Sequence, residues 1–242
     1  MLALNALEGV MVTQLLRVKM LRVKVCGIMS PEQGMAIAAL GAQSIGFICV
    51  QKSPRYVTPE QIKAIASVLP NEVDRVGVFM NTSVDSIVEI VKESGLTSVQ
   101  LHGDESVEFC SELRSVLREQ MRDSSIELIK AFRIESAAEL VKTHPYSAVV
   151  DWLLLDAYHP TMGGGTGLTL DWSTLGDFKP TVPWLLAGGL NADNVRGALQ
   201  TIGQTNGRTI GPQGIDLSSG VERSPGDKDL GKVARLFENL KN

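Results

Sequence analysis

Arg22-Val23-Lys24-Val25-Cys26-Gly27-Ile28-Met29-Ser30-Pro31-Glu32 is the stretch from which the fold is read. A short valine-rich run ends at a cysteine and a glycine. Ser30-Pro31-Glu32 then opens a helix, with serine as N-cap and proline at the first helical position, and Gly41 ends it. This is a strand, a turn and a helix in twenty residues.

The same punctuation recurs along the chain. Strands are expected at Arg22–Cys26, Ser44–Cys49, Arg75–Met80, Ser98–Leu101, Leu128–Phe132, Val149–Asp156, Trp184–Ala187 and Gly214–Leu217. Continuous apolar runs of this kind suit strands covered on both faces. Helices are expected between them: one from Thr58-Pro59-Glu60 to Pro70, one from Ser83 to Gly95, and others at Glu105–Arg118, Ser136–Thr143, Asn191–Gln200 and Asp227–Leu240. A short one follows Asp171-Trp172. Strict alternation of this kind predicts a single-domain α/β protein, a closed (β/α)8 TIM barrel, over an open doubly wound sheet built from the same units.

Composition agrees. Of 242 residues, 44% are hydrophobic and 21% charged, which excludes a disordered chain. The length suits a barrel, which takes about 250 residues as one domain. No apolar stretch approaches the roughly 18 residues of a membrane helix, so no membrane partner is expected. A net charge of −4 gives no basic field for nucleic acid, so a phosphorylated small molecule would have to be held locally. Three cysteines without C-x-x-C spacing fit a reducing, cytoplasmic compartment and neither a disulfide frame nor a metal site. Residues 1–21 read as an N-terminal extension, a short amphipathic helix or disordered tail without signal-peptide or transit character, and 22–242 as the barrel. The near-repeat around Met20 leaves that methionine open as a functional start.

In such a barrel the chemistry lies at the C-terminal strand ends. Cys26 ends the first strand before a glycine. It is read either as a small core hydrophobe or as a thiolate base or nucleophile, should a nearby positive charge lower its pKa. Cys49 and Cys110 are read as packing. Asp156 follows three leucines, an expensive place for a carboxylate unless it reaches a cleft, where partial burial suits a general acid. Asp151 marks the strand's beginning. Gly188-Gly189 after the seventh strand and Ser218-Ser219-Gly220 after the eighth stand where these barrels usually bind phosphate. Gly163–Gly167 reads as a flexible loop over the pocket. Arg55, between Pro54 and Tyr56, is placed to present a guanidinium to a substrate carboxylate. His102 is a strand-end donor lining the pocket. His144 and His159 are loop residues without ligand spacing, and Trp152, Trp172 and Trp184 are packing.

Together these motifs resemble the phosphoribosylanthranilate isomerase family of tryptophan biosynthesis. The resemblance runs, in order, through Lys24-Val25-Cys26-Gly27-Ile28, Lys52-Ser53-Pro54-Arg55-Tyr56, Val76-Gly77-Val78-Phe79 and Val99-Gln100-Leu101-His102-Gly103. It continues through Leu154-Leu155-Asp156, Gly164-Gly165-Thr166-Gly167, Leu186-Ala187-Gly188-Gly189-Leu190 and Asp216-Leu217-Ser218-Ser219-Gly220-Val221-Glu222. It implies a cytoplasmic monomer or homodimer that needs no cofactor. The implied reaction is the Amadori rearrangement of N-(5-phosphoribosyl)anthranilate, with Asp156 as general acid and Cys26 as general base. It further implies Arg55 on the anthranilate carboxylate, Asp216 near the anilino nitrogen, and Gly188, Gly189, Ser218, Ser219 and Gly220 on the phosphate. Departures fall at Leu168-Thr169-Leu170, where the family often has lysine and phenylalanine, and in an enlarged Gly203–Gln213 segment. Two alternatives remain. One is the related histidine-pathway aminoaldose isomerase or a dual-substrate barrel, against which the thiol at Cys26 argues, because that family has aspartate there. The other is a non-catalytic phosphate-binding barrel.

Overall fold

The computed structural model describes residues 21–122, 125–157, 172–203 and 211–241. Eight parallel strands close into a barrel in sequence order: β1 (Arg22–Cys26), β2 (Ser44–Ile48), β3 (Asp74–Phe79), β4 (Ser98–Leu101), β5 (Glu127–Arg133), β6 (Trp152–Asp156), β7 (Trp184–Ala187) and β8 (Gly214–Leu217). Closure is made by β8 on β1, with Lys24 opposite Asp216. Outside lie α1 (Pro31–Leu40), α2 (Pro59–Ala66), α3 (Val84–Ser94), α4 (Val107–Gln120), α5 (Val195–Gly203) and α6 (Leu230–Lys241).

The helices begin where local chemistry satisfies their free N–H groups. Ser30, Thr58, Ser83 and Ser106 each accept a hydrogen bond from a first-turn backbone N–H, and at Thr58 the Gln61 side chain returns the bond to close a capping box. The core has two layers. Val76, Ile129, Ala131, Leu154, Leu185 and Ala187 fill the barrel interior, while a larger apolar layer packs sheet against helices.

Several expected boundaries shift for local reasons. The strand expected from Val149 starts at Trp152, because Asp151 turns its carboxylate to accept from Leu128 N–H (2.8 Å) and from Arg114 (2.9 Å). The helix expected at Ser136–Thr143 is a 3-10 segment, Ala137–Ala148. It contains His144 and Pro145, and proline cannot supply the α-helical N–H. At Asn191 the side chain accepts from the N–H groups of Asp193 and Asn194, a turn that delays α5 to Val195. Asp227 does not start the last helix. It lies in a hairpin of β9 (Glu222–Ser224) and β10 (Asp227–Lys228), and Asp229 caps α6 by accepting from Gly231 and Lys232. Trp172–Leu175 is the short turn expected after Asp171, itself outside the described residues. Residues 1–20, the glycine run 163–167 with His159 and Leu168–Leu170, and most of the enlarged 203–213 segment also lie outside them.

A polar layer closes the N-terminal end of the barrel. Arg22 donates to Ser44 (2.8 Å), Glu127 (2.8 Å) and Asp74 (2.5 Å), and its guanidinium lies 4.8 Å from the centroid of the Trp152 ring. This end carries stability, not chemistry. Arg22→Met leaves two half-exposed carboxylates facing each other and is expected to cost about 1–2 kcal/mol in denaturant unfolding, with kcat unchanged. An unaltered unfolding midpoint would contradict this role.

Candidate active site

The opposite end of the barrel gathers the residues singled out above. A cavity of about 220 Å³ is lined by Cys26, His102, Asp156, Gly188, Gly189, Asp216, Ser218, Ser219 and Gly220, with Ile48, Val78, Gln100, Ala187 and Leu190 completing its wall. Of the expected site residues, only Arg55 stands beside this lining and not in it.

Strand alternation explains the convergence, since residues two apart on a strand share a face. Lys24 and Cys26 point inward from β1, and Gln100 and His102 do so from β4 and its end. Cys26 is opposite Gly46 on β2, where a Cβ would lie 2.7 Å from the thiol sulfur, so the glycine makes room for the side chain. Burial pushes the Cys26 thiol pKa up, and Lys24 and Lys228 oppose that rise without cancelling it. Cys49 sits half-buried past β2, pushed up by burial to about 12, and Cys110 fills α4, pushed up by burial to about 11.

His102 Nε2 stands 3.9 Å from an Asp156 carboxylate oxygen, and its Nδ1 is 3.0 Å from the Gln100 amide nitrogen. With that amide donating, the neutral ring carries its proton on Nε2, facing Asp156. Burial lowers the His102 pKa and so favours this neutral form. The loop behind it is pinned by Glu105, which accepts from Asn81 N–H, Gly103 N–H and the buried Lys130 ammonium (3.1 Å).

The two glycine-rich loops meet at Gly220. A Cβ there would lie 2.0 Å from the Leu190 carbonyl oxygen, so only glycine lets the loop after β8 approach the loop after β7 this closely. Gly188 and Gly189 both have left-handed backbone, and Asn194 ties the Gly189 carbonyl at 2.9 Å. Ser219–Val221 forms a single 3-10 turn.

Arg55 is committed in a way the sequence reading did not anticipate. Its Nε and Nη2 donate to Glu222 at 2.8 and 2.6 Å, and its stem lies against Gly27. Glu222 also accepts from Lys228 (2.6 Å) and Gly226 N–H (3.2 Å). The Glu222 side chain is 4% exposed and Lys228 0%. Two cations share one carboxylate, so one net positive charge remains beside Cys26 and Ser218. Lys24, Gln100, Glu222 and Lys228 received no role in the sequence reading. Lys24 carried a signal, a charge at an inward position of an apolar strand; Lys228 was hidden by reading Asp227 as a helix start. Among the described residues no group of His, Cys, Asp or Glu is placed to hold a metal ion, and no helix is long and apolar enough to cross a membrane.

A closed parallel barrel whose mouth holds a thiol, an imidazole and two carboxylates facing two glycine- and serine-rich loops defines an acid–base enzyme of the (β/α)8 class. Residues 23–239 match the family described as N-(5'phosphoribosyl)anthranilate (PRA) isomerase. The chain is 54% identical over 220 residues to the N-(5'-phosphoribosyl)anthranilate isomerase of Nostoc punctiforme, covering 91% of this chain and 98% of that one. It is also 54% identical to that of Gloeothece citriformis, covering 91% and 94%. Among solved structures it resembles phosphoribosyl anthranilate isomerase from Thermotoga maritima, with 34% identity, a TM-score of 0.78, and 92% and 99% coverage. A second resembles it with 33% identity and a TM-score of 0.74 over 92% and 99%, and was solved in complex with reduced 1-(o-carboxyphenylamino)-1-deoxyribulose 5-phosphate. The chain belongs to the phosphoribosylanthranilate isomerase family, isomerases of tryptophan biosynthesis.

The Glu222 cluster gives a pH signature. Burial alone would raise the Glu222 pKa, but the hydrogen bonds from Arg55 and Lys228 outweigh it and leave the carboxyl at about 2. A depressed folded-state pKa contributes stability above the ordinary carboxylate range and loses it as pH falls toward 2. Glu222→Gln strands the buried Lys228 and the half-buried Arg55 and is expected to cost on the order of 3 kcal/mol at neutral pH. The difference from wild type should shrink in unfolding titrations carried toward pH 2; a pH-independent difference would contradict the ion cluster.

Proposed function

We propose that the chain converts N-(5'-phosphoribosyl)anthranilate to 1-(2-carboxyphenylamino)-1-deoxyribulose 5-phosphate with Asp156 as general acid and Cys26 as general base. The observation that carries this reading is that both side chains line one cavity whose far wall is the paired loops after β7 and β8. Asp156 protonates the ribose ring oxygen, the anilino nitrogen pair expels it, and the furanose opens to an iminium. The Cys26 thiolate takes the C2 proton. The C2–H electron pair becomes the C1=C2 bond of an enolamine while the C1=N pair returns to nitrogen. The Cys26 thiol then returns its proton to C1 while the C2 hydroxyl proton leaves to the Asp156 carboxylate, which gives the ketone and restores both the thiolate and the acid.

Binding follows from the same walls. The backbone N–H groups of Gly188, Gly189 and Gly220 and the hydroxyls of Ser218 and Ser219 receive the phosphate. Asp216 accepts from the anilino N–H. His102, with its Nε2 proton toward Asp156, lines the sugar. Arg55 keeps three of its five N–H donors beyond those given to Glu222, and these face the anthranilate carboxylate. The reading calls on no cofactor, nucleic acid or membrane, and a monomer or homodimer in the cytoplasm suffices for it.

A fluorescence assay with freshly made substrate, run beside the histidine-pathway aminoaldose, tests this. Turnover is expected on the anthranilate substrate, Cys26→Ala and Asp156→Asn each lowering kcat by about 10²–10⁴-fold. Arg55→Ala is expected chiefly to raise KM. Wild-type turnover by Cys26→Ala would overturn the base assignment, and preference for the histidine-pathway substrate would overturn the substrate.

A further inference from the structure

Lys24 is an ammonium with no exposure to solvent, inside the barrel one residue pair below the site. Such a charge is costly unless it is paired. Its partner is Asp216, its cross-strand neighbour in the β1–β8 register, at 3.0 Å. Burial alone would make the lysine easier to deprotonate, and Asp216 together with Cys26 more than offsets that, so the ammonium stays charged in the interior. Lys24 and Cys26 lie two apart on one strand, both buried and both turned inward, and Asp216 lines the cavity with Cys26. The thiol is therefore the next group above the ammonium.

We propose that Lys24 is a positioning residue for the base: its ammonium, held charged and in place by Asp216, stabilises the Cys26 thiolate. The proposal rests on Cys26 being the base. It answers a difficulty in that reading, because a thiol sealed in a barrel mouth is otherwise inert. Asp216 also acts on Cys26, its carboxylate opposing the thiolate less than the Lys24 ammonium supports it. The other groups around the thiol are Lys228 from β10, Arg55 from the loop after β2, Glu222 from β9, Cys49 beyond β2, and His102 and Asp156 across the cavity. Glu222 is shared by Arg55 and Lys228, whose stated contacts fix their heads. Lys24 shares the inward face of β1 with the thiol, so the ammonium and the thiol are neighbours in the interior and its charge acts on Cys26 directly. Forming the thiolate releases the thiol proton to water, and no oxidant or co-reactant is needed.

Ultraviolet thiolate absorbance, followed against pH as the difference between the chain and its Cys26→Ser variant, reads Cys26 alone. Cys49 and Cys110, with pKa values pushed to about 12 and about 11, cancel in that difference. In Lys24→Met the thiolate fraction at a fixed pH is expected to fall at least about tenfold, since an opposite charge at this range moves a pKa by roughly 1–3 units. Lys24→Arg, which keeps a cation, should stay near wild type. In the wild-type chain the acidic limb of kcat should coincide with the thiolate titration, a comparison that needs no lysine variant to fold. An unmoved thiolate fraction in Lys24→Met, a loss in Lys24→Arg equal to that in Lys24→Met, or an acidic limb unrelated to the titration would overturn the proposal. Failure of the two readings is separable. Lost turnover in Cys26→Ala with an unmoved titration in Lys24→Met sinks only the lysine's role, whereas wild-type turnover in Cys26→Ala sinks the base.

Discussion

A charge inside a barrel has to be paired, and near the catalytic mouth of this one the buried cations are. Lys24 meets Asp216, Lys130 meets Glu105, and Lys228 shares Glu222 with Arg55. Each pair ties neighbouring parts of the barrel mouth at a fixed point: β1 to β8, β5 to the loop after β4, and the β9–β10 hairpin to the loop after β2. A buried ion pair adds little net stability over apolar packing, but removing one partner is expensive. The pairs therefore act as constraints on where the loops lie. The site inherits its geometry from them.

The same constraint shapes the chemistry. Cys26 is enclosed, so its ionisation is set by fixed neighbours and not by solvent. His102 is held by Gln100 with its Nε2 toward Asp156, and the loop behind it is tied down by Glu105 and Lys130. Cys26 and Asp156 stand on β1 and β6, well separated around the barrel and facing the same cavity. The thiol and the carboxyl thus enter that cavity from different directions. The loops after β7 and β8 pack closely enough, at Gly220, to form one continuous wall.

The barrel was legible because its signals are local. Ser30, Thr58 and Ser83 announce helix starts, Gly41 and Gly95 their ends, and four strands, β1, β4, β7 and β8, match their expected bounds. The site's membership was legible for a related reason, since strand ends in a barrel share one rim. What escaped depends on contacts distant in sequence. Nothing near Asp151 says that Leu128 and Arg114 will capture its carboxylate and shorten β6. Nothing around Asp227 separates a hairpin from a helix start, because the helix cap two residues later is also an aspartate. Arg55 was read as free to meet a ligand because Glu222 lies 167 residues away.

The central claim is that one enclosed thiol moves the C2 proton while the carboxyl of Asp156 opens the ring. The most direct measurement is single-turnover mass spectrometry with substrate deuterated at ribose C2, comparing wild type with Cys26→Ala. The account predicts rapid loss of the C2 label in wild type. In the variant the furanose should still open while the label stays at C2. Release of the C2 label by the variant at the wild-type rate would contradict it.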